Sequence, residues 1–311
     1  MLSSKHLALI GPTASGKSAL ALQLARACGD LEIVAVDSMQ IYRGLDIGTA
    51  KPTPAERAEI PHHGLDLTDP SATYSVAEFQ RYVRTAITDI EARNNRALLV
   101  AGTGLYLQAV IDDLQFPGED LTVRAELEAA TNEPGGLARA YAELVALDPL
   151  GASRIDEHNQ RRIVRALEVI RITGRPFSSF GPGITGYGPP AFPVRMMGLW
   201  LPRAALATRI DARVQLMRER GFLDEVRALA ATPLSRTARQ AIGYAELLAY
   251  LAGEQPDLDE AFALTVRRTR SYARRQRMWF RRDPRITWFG TAEDPARCYP
   301  DLLAWAQPIG V

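Results

Sequence analysis

The stretch "LALIGPTASGKSALALQLA", Leu7 to Ala25, constrains the fold of this chain more than any other. Within it "GPTASGKS" (Gly11, Pro12, Thr13, Ala14, Ser15, Gly16, Lys17, Ser18) fits the phosphate-loop pattern G-x-x-x-x-G-K-[ST]. "HLALI" before it reads as a short buried strand. "KSALALQLARAC" after it reads as a helix with an apolar stripe at Leu20, Leu24 and Ala27. A strand, a glycine-rich turn and a helix in this order bring backbone N–H groups together on phosphate oxygens at the helix N-terminus. Lys17 adds a point charge, and the Ser18 hydroxyl is placed for Mg²⁺. The expected fold is α/β, a P-loop NTPase-like core with a mainly parallel sheet. The loop alone admits a nucleotide such as ATP as readily as a smaller diphosphate.

The next strands narrow the chemistry. In "LEIVAVDSMQIYRGLDIGTAKPT" an apolar run, Ile33 to Val36, ends abruptly on Asp37. Ligands of open α/β sheets sit at the carboxyl ends of strands, so Asp37 is expected to face the phosphate site. It is placed to bind a metal, to hold a substrate hydroxyl or to act as a general base; the plain alternative is a cap on the following turn. A third strand, within "RALLVAGTGLYLQAVI", ends on Ala101-Gly102-Thr103-Gly104. An ordinary P-loop NTPase carries a Mg²⁺-binding carboxylate there. A glycine-threonine turn admits a substrate closely instead, with the Thr103 hydroxyl as a polar contact, and argues against ordinary ATP hydrolysis.

Composition sets the surroundings. No run of about 18 apolar residues occurs, and "MLSSKHLALIG" lacks a signal-peptide layout, so no membrane attachment is expected. Two cysteines, Cys28 and Cys298, form neither a disulfide framework nor a four-thiolate zinc site, and a reducing cytoplasmic setting follows. The four histidines lack metal-ligand spacing. Net charge is +1, but residues 1–150 hold 12 basic and 20 acidic side chains while residues 151–311 hold 25 and 16. That asymmetry points to an anionic partner for the second half. All 25 of those bases are arginine, however, and the only lysines are Lys5, Lys17 and Lys51, so arginine as a type says little here.

Between about Asp120 and Gly188 the pattern is helical: "LTVRAELEAA", "GGLARAYAELVALD" and "NQRRIVRALEVIRITG" are separated by Pro and Gly signals. The expected domains are a core of residues 1–119 and 190–311 and an all-helical insertion of residues 120–189. "FGPGITGYGPPAFP" closes the insertion as a hinge or surface loop, and "VRMMGLWL" returns as a strand. The segments after it read as C-terminal helices. One of them, "VRRTRSYARRQRMWFRRD", holds eight arginines interleaved with Tyr272, Trp279 and Phe280. Such a helix either contacts RNA phosphates or docks as a cation on the acidic first half.

"GPTASGKS", "VDSMQIYRGLDIGTAKP", "GTGLYL", "NQRRIVRALEV", "QAIGYAELLAYLAGE" and the late Arg-rich helix occur in the order in which they occur in bacterial-type tRNA dimethylallyltransferases, the isopentenyl transferases that modify an adenine beside the anticodon. The chain resembles that family over nearly its whole length, departing at Ala101, where the family usually has glycine. The resemblance implies transfer of a dimethylallyl group from dimethylallyl diphosphate to the N6 amine of that adenine. The phosphate loop then holds a diphosphate that leaves, with Mg²⁺ on Ser18, and Arg213, or else Arg209, clamps it. Asp37 becomes the general base, Thr103 touches the diphosphate bridge or the base, and Ser38, Met39 and Gln40 line the entry of the adenine. By the same pattern Arg124, Gln160, Arg161, Arg162, Ile163 and Val164, and Arg239, Gln240, Ala241, Ile242, Gly243 and Tyr244, touch the anticodon stem-loop. A monomer is the expected form.

Overall fold

Apolar side chains alternate across both faces of the central strands, which is the pattern of a sheet covered on both sides. In β1 (His6–Ile10), Leu7 and Leu9 face one layer while Ala8 and Ile10 face the other. β2 (Leu31–Val36) and β4 (Arg96–Ala101) repeat this, with Leu31, Ile33, Leu98 and Val100 on the first face and Val34, Val36, Leu99 and Ala101 on the second. β3 (His62–His63), β5 (Val194–Trp200) and β6 (Ile286–Gly290) complete the sheet. All pairings are parallel and the order is β3-β2-β4-β1-β5-β6. The structure is a computed structural model describing residues 6–181, 184 and 186–307.

One face is covered by α1 (Lys17–Cys28) and, from the end of the chain, α14 (Tyr299–Ala306). The other carries α3 (Val76–Ala92), reached through the short α2 (Pro54–Glu59), and α4 (Gly104–Ile111). Both α2 and α3 begin on reciprocal capping boxes, Thr53 with Glu56 and Ser75 with Glu78, which satisfy orphan N–H groups at each start. α9 (Arg203–Glu219), α10 (Phe222–Ala230), α11 (Arg236–Arg239), α12 (Tyr244–Leu251) and α13 (Leu258–Phe280) extend the same face.

The chain divides into two compact units, residues 6–113 with 189–307 and residues 114–188, of those described. The smaller unit consists of α5 (Leu121–Asn132), α6 (Gly136–Leu147), α7 (Pro149–Ala152) and α8 (Gln160–Thr173) around a core of Leu127, Leu144, Ile163 and Leu167. Of its closing loop, Pro182, Gly183 and Thr185 lie outside the described residues.

Two strands depart from the sequence expectation. Ile286–Gly290 was expected within the C-terminal helices, yet it forms edge strand β6 beside β5. Ile286 and Trp288 pack on one face and Phe289 on the other, but with exposed Thr287 and Gly290 in only five residues the strand shows no clear alternation. β3 has just two residues, too few to show any periodicity.

Candidate active site at the strand ends

The last residues of three adjacent strands are in register: Ile10 lies opposite Ala101, and Ala101 opposite Val36. The turns that follow them therefore meet. These are the phosphate loop after β1, the Gly102-Thr103-Gly104 turn after β4, and Asp37 after β2. Two backbone bonds sew them together, Gly11 N–H to Ala101 C=O (3.2 Å) and Gly102 N–H to Val36 C=O (3.4 Å).

The loop conformation follows from its residues. Gly16 sits at φ +86°, a left-handed conformation that side chains disfavour, and a Cβ there would lie 2.5 Å from Pro295. Ser15 is fully buried, and its hydroxyl has no hydrogen-bond partner among the described residues. The N–H groups of Gly16, Lys17, Ser18 and Ala19 donate to no acceptor among the described residues, which leaves a row of donors at the start of α1. Lys17 Nζ approaches the Pro12 carbonyl at 3.4 Å. Its pKa is pulled down to about 8, first by burial and then by the Arg213 guanidinium, with Asp37 acting in the opposite sense. Arg213, on α9, is held below the usual arginine range by burial and raised by Asp37. Lys17, Arg213 and Asp37 thus share one electrostatic environment in which an anionic ligand would relieve two poorly solvated cations. Arg209, one turn earlier, donates to the Ala14 carbonyl (2.9 Å) and so supports the loop from outside.

Of the roles weighed for Asp37, the geometry displays the turn cap and leaves one oxygen over. Its Oδ1 accepts from the N–H groups of Met39 (2.8 Å) and Gln40 (3.3 Å), the turn-capping arrangement. Its Oδ2 makes no hydrogen bond among the described residues and remains open as an acceptor. Thr103 Oγ1 accepts from Ser38 N–H (3.3 Å), which binds the two strand-end turns together. Gln40 donates to the Thr49 carbonyl (3.1 Å), and Arg213 approaches the same carbonyl at 3.4 Å.

For a metal the fit is specific. No group of three or more His, Cys, Asp and Glu side chains suits a metal ion among the described residues. The exposed Ser18 hydroxyl has no partner among them either. One hydroxyl plus diphosphate oxygens and water suits a Mg²⁺ that arrives with its anion, not a pre-built protein cage.

A model of the IPP transferase family matches residues 40–283. The chain belongs to the IPP transferase family. It is 49% identical to the tRNA dimethylallyltransferase of Thermobifida fusca over 291 residues, 92% of this chain and 89% of that one. To its counterpart from Streptomyces avermitilis it is 50% identical, over 93% and 91% of the two chains. Among solved structures it resembles the tRNA isopentenylpyrophosphate transferase of Bacillus halodurans, with a TM-score of 0.69 at 38% identity over 97% of this chain and 95% of that chain. A eukaryotic dimethylallyltransferase acting on tRNA gives a TM-score of 0.81 at 27% identity, over 99% and 81% of the chains.

The remaining expected site residues of this IPP transferase family member fall into two groups. Exposed and without a side-chain partner among the described residues are Arg161 and Arg162 on α8 and, in the larger unit, Arg239 at the end of α11, which Gln240, also exposed, follows in the chain. The others are committed to structure. Ile163 and Val164 are buried in the core of the small unit, so their side chains present nothing to a nucleic acid. Arg124 pairs with the buried carboxylate of Glu168 (3.0 Å), and Gln160 donates to Thr131 (2.8 Å). Ala241 and Tyr244 are buried, and Ile242 is half-buried. Tyr244 donates to Glu225 (2.6 Å), whose carboxylate also accepts the N–H groups of Asp46, Ile47 and Gly48. Gly243 N–H donates to Glu246 (2.7 Å), which in turn pairs with Arg268 (2.6 Å). The "QAIGYAE" motif therefore anchors the Asp46–Gly48 loop and α13 from behind.

Sequence reasoning missed the face that α13 turns to the site. Tyr272, Gln276 and Trp279 recur at i, i+4 and i+7 and point inward, whereas the arginines between them point elsewhere. Trp279 occupies the space where a Cβ on Gly104 would lie, so only glycine fits there. Burial pushes the Tyr272 phenol up to about 12, and the charge of Asp37 adds to this, while side-chain hydrogen bonds to Thr103 and Gln276 oppose it. The signal was present: these are the non-basic residues at helical spacing in an otherwise basic run.

Proposed function

We propose that this protein transfers a dimethylallyl group from dimethylallyl diphosphate to the N6 amine of the adenine beside the anticodon of tRNA, releasing diphosphate. The observation that carries this reading is the meeting of a phosphate loop, an open carboxylate oxygen on Asp37 and a glycine-threonine turn where a nucleotide hydrolase has its metal-binding acid.

The residues divide the work as the reaction requires. The N6 lone pair attacks the allylic carbon, the carbon–oxygen bond to diphosphate breaks, and the diphosphate leaves with the bonding electrons. An exocyclic aromatic amine is a weak nucleophile, so Asp37 Oδ2 accepts its proton, help worth about 10²–10⁴ in rate. Charge building on the leaving group meets the free N–H groups of Gly16, Lys17 and Ser18, the Lys17 ammonium and the Arg213 guanidinium. A Mg²⁺ held by Ser18 and the diphosphate oxygens supplies further neutralisation when bound. Thr103 orients the diphosphate bridge or the base, and the adenine leaves its stack to pass Ser38, Met39 and Gln40.

In this reading tRNA meets exposed arginines of each unit, taken separately: Arg161 and Arg162 of the helical insertion, and Arg239 with Gln240 and the outer arginines of α13 on the core. Among the described residues no helix is long and apolar enough to cross a membrane. The reading places the enzyme in the cytoplasm as a monomer. Its test is whether product forms from dimethylallyl diphosphate, Mg²⁺ and unmodified tRNA without ATP.

A further inference from the structure

One side chain of α13 spends both ends of its amide on the two loops of the site. Gln276 is 5% exposed. Its Oε1 accepts the N–H of Thr13 in the phosphate loop (2.9 Å), and its Nε2 donates to the carbonyl of Gly102 (2.7 Å). The two partners come from sites 263 and 174 residues away in the chain. A Cβ on Gly102 would lie 3.2 Å from Gln276 Nε2 and 3.4 Å from Lys17 Nζ, so the amide and the ammonium border the same small volume. Both hydrogen bonds are internal to the core unit; the one to Gly102 is buried, and the one to Thr13 is partly so.

We propose that Gln276 is a positioning residue for the transfer reaction, fixing the distance between the phosphate loop and the turn that carries Thr103. The inference rests on the prenyl-transfer reading of this site. Lys17 follows Thr13 by four residues, and Thr103 follows Gly102 directly. The groups that stabilise the leaving diphosphate and those that face the adenine thus sit on two loops joined by one amide. Glutamine is suited to this because it alone among side chains of its length offers an acceptor and a donor on neighbouring atoms without charge. Because Thr13 spends its N–H on Gln276, the diphosphate meets other N–H groups of the loop, those of Gly16 to Ala19 among them. Misplacement of a reacting group by about 1 Å costs on the order of 10²-fold in rate.

Two variants keep the volume of this buried side chain. Gln276→Met removes both hydrogen bonds, and Gln276→Glu keeps the acceptor for Thr13 but sets an oxygen against the Gly102 carbonyl. The expected result is a kcat about 10–100-fold lower in Gln276→Met, with KM for tRNA close to wild type and a melting temperature lowered by only a few degrees, as two unpaired backbone groups require. Gln276→Glu binds inorganic diphosphate more weakly still than Gln276→Met, because it sets a negative charge beside Lys17 as well as breaking the bond to Gly102. Combining Gln276→Met with Thr103→Val costs less than the product of the two single effects, because both act through one turn. Calorimetric titration with inorganic diphosphate gives a readout independent of prenyl transfer, and there Gln276→Met binds about tenfold more weakly than wild type. Wild-type protein that binds diphosphate but makes no prenylated nucleoside refutes the functional reading and leaves the binding comparison standing. Unchanged kcat and diphosphate affinity in Gln276→Met overturn the inference. So does a loss of activity equal to the loss of folded protein.

Discussion

Asp37 caps its own turn with one oxygen, and the proposed reaction uses the other. Its Oδ1 holds the turn through two N–H groups and its Oδ2 is open. Asp37→Asn keeps the shape and the capping oxygen but cannot take a proton at neutral pH. Turnover should fall by about 10²-fold or more while tRNA affinity changes little. Near-normal turnover in steady-state assays would leave Asp37 as a turn cap only. From the sequence its position at a strand end was legible, because the apolar run stops on it. The division of labour between its two oxygens was not, since that depends on how the backbone turns at Met39 and Gln40. The buried tyrosine and isoleucine of the expected tRNA-contacting segments make the complementary point: a motif locates a segment, and only the packing tells which of its side chains reach the surface.

Elements far from the site are held by charges whose pH response is predictable. At the opposite end of β2 from Asp37, Glu32 is 3% exposed and accepts from Arg93 (2.8 Å), Asn95 (2.9 Å) and His63 (2.7 Å) of edge strand β3. Its pKa is lowered to about 2, mainly by the Arg93 hydrogen bond, against a burial effect that raises it. A carboxylate depressed on folding contributes stability above its unfolded value near 4.5 and loses it as pH falls towards 2. Glu32→Gln should cost about 2 kcal/mol at pH 7, and its melting curve should converge on wild type between roughly pH 4.5 and 2. A gap independent of pH would show that packing, not charge, is what was lost.

α13 is the element where sequence left two readings open. Docking on the acidic first half through arginine is not what is seen: Arg267, Arg268 and Arg270 pair with Glu260, Glu246 and Asp211, all in the second half. The helix meets the first half through Gln276, Tyr272 and Trp279, which carry no charge. Arg274 is exposed and has no partner among the described residues, and Arg281 lies only over the Trp200 ring (5.6 Å). Neutralising both should weaken tRNA binding and flatten the log–log salt slope by roughly 1.4–1.8, while transfer at saturating tRNA survives. An unchanged slope would move the tRNA surface to Arg161 and Arg162. The same region held a poorly legible strand, β6, because five residues interrupted by exposed Thr287 and Gly290 show little periodicity.

At the scale of the whole molecule, the order of the elements was legible because each strand end announces itself: a phosphate loop, an aspartate, a glycine-threonine turn. The assembly of those ends by α13 was not, since it joins residues from opposite ends of the chain. The fold brings the phosphate loop, Asp37 and the Gly102-Thr103-Gly104 turn together at adjacent strand ends, and the proposed function stands on that combination. The most direct test incubates the purified protein with dimethylallyl diphosphate, Mg²⁺ and unmodified tRNA, without ATP, and analyses the digested nucleosides by mass. The account predicts a dimethylallyl-bearing adenosine beside the anticodon and one diphosphate released for each base modified. Unmodified tRNA under these conditions, together with tRNA-stimulated hydrolysis when ATP is supplied, would contradict it.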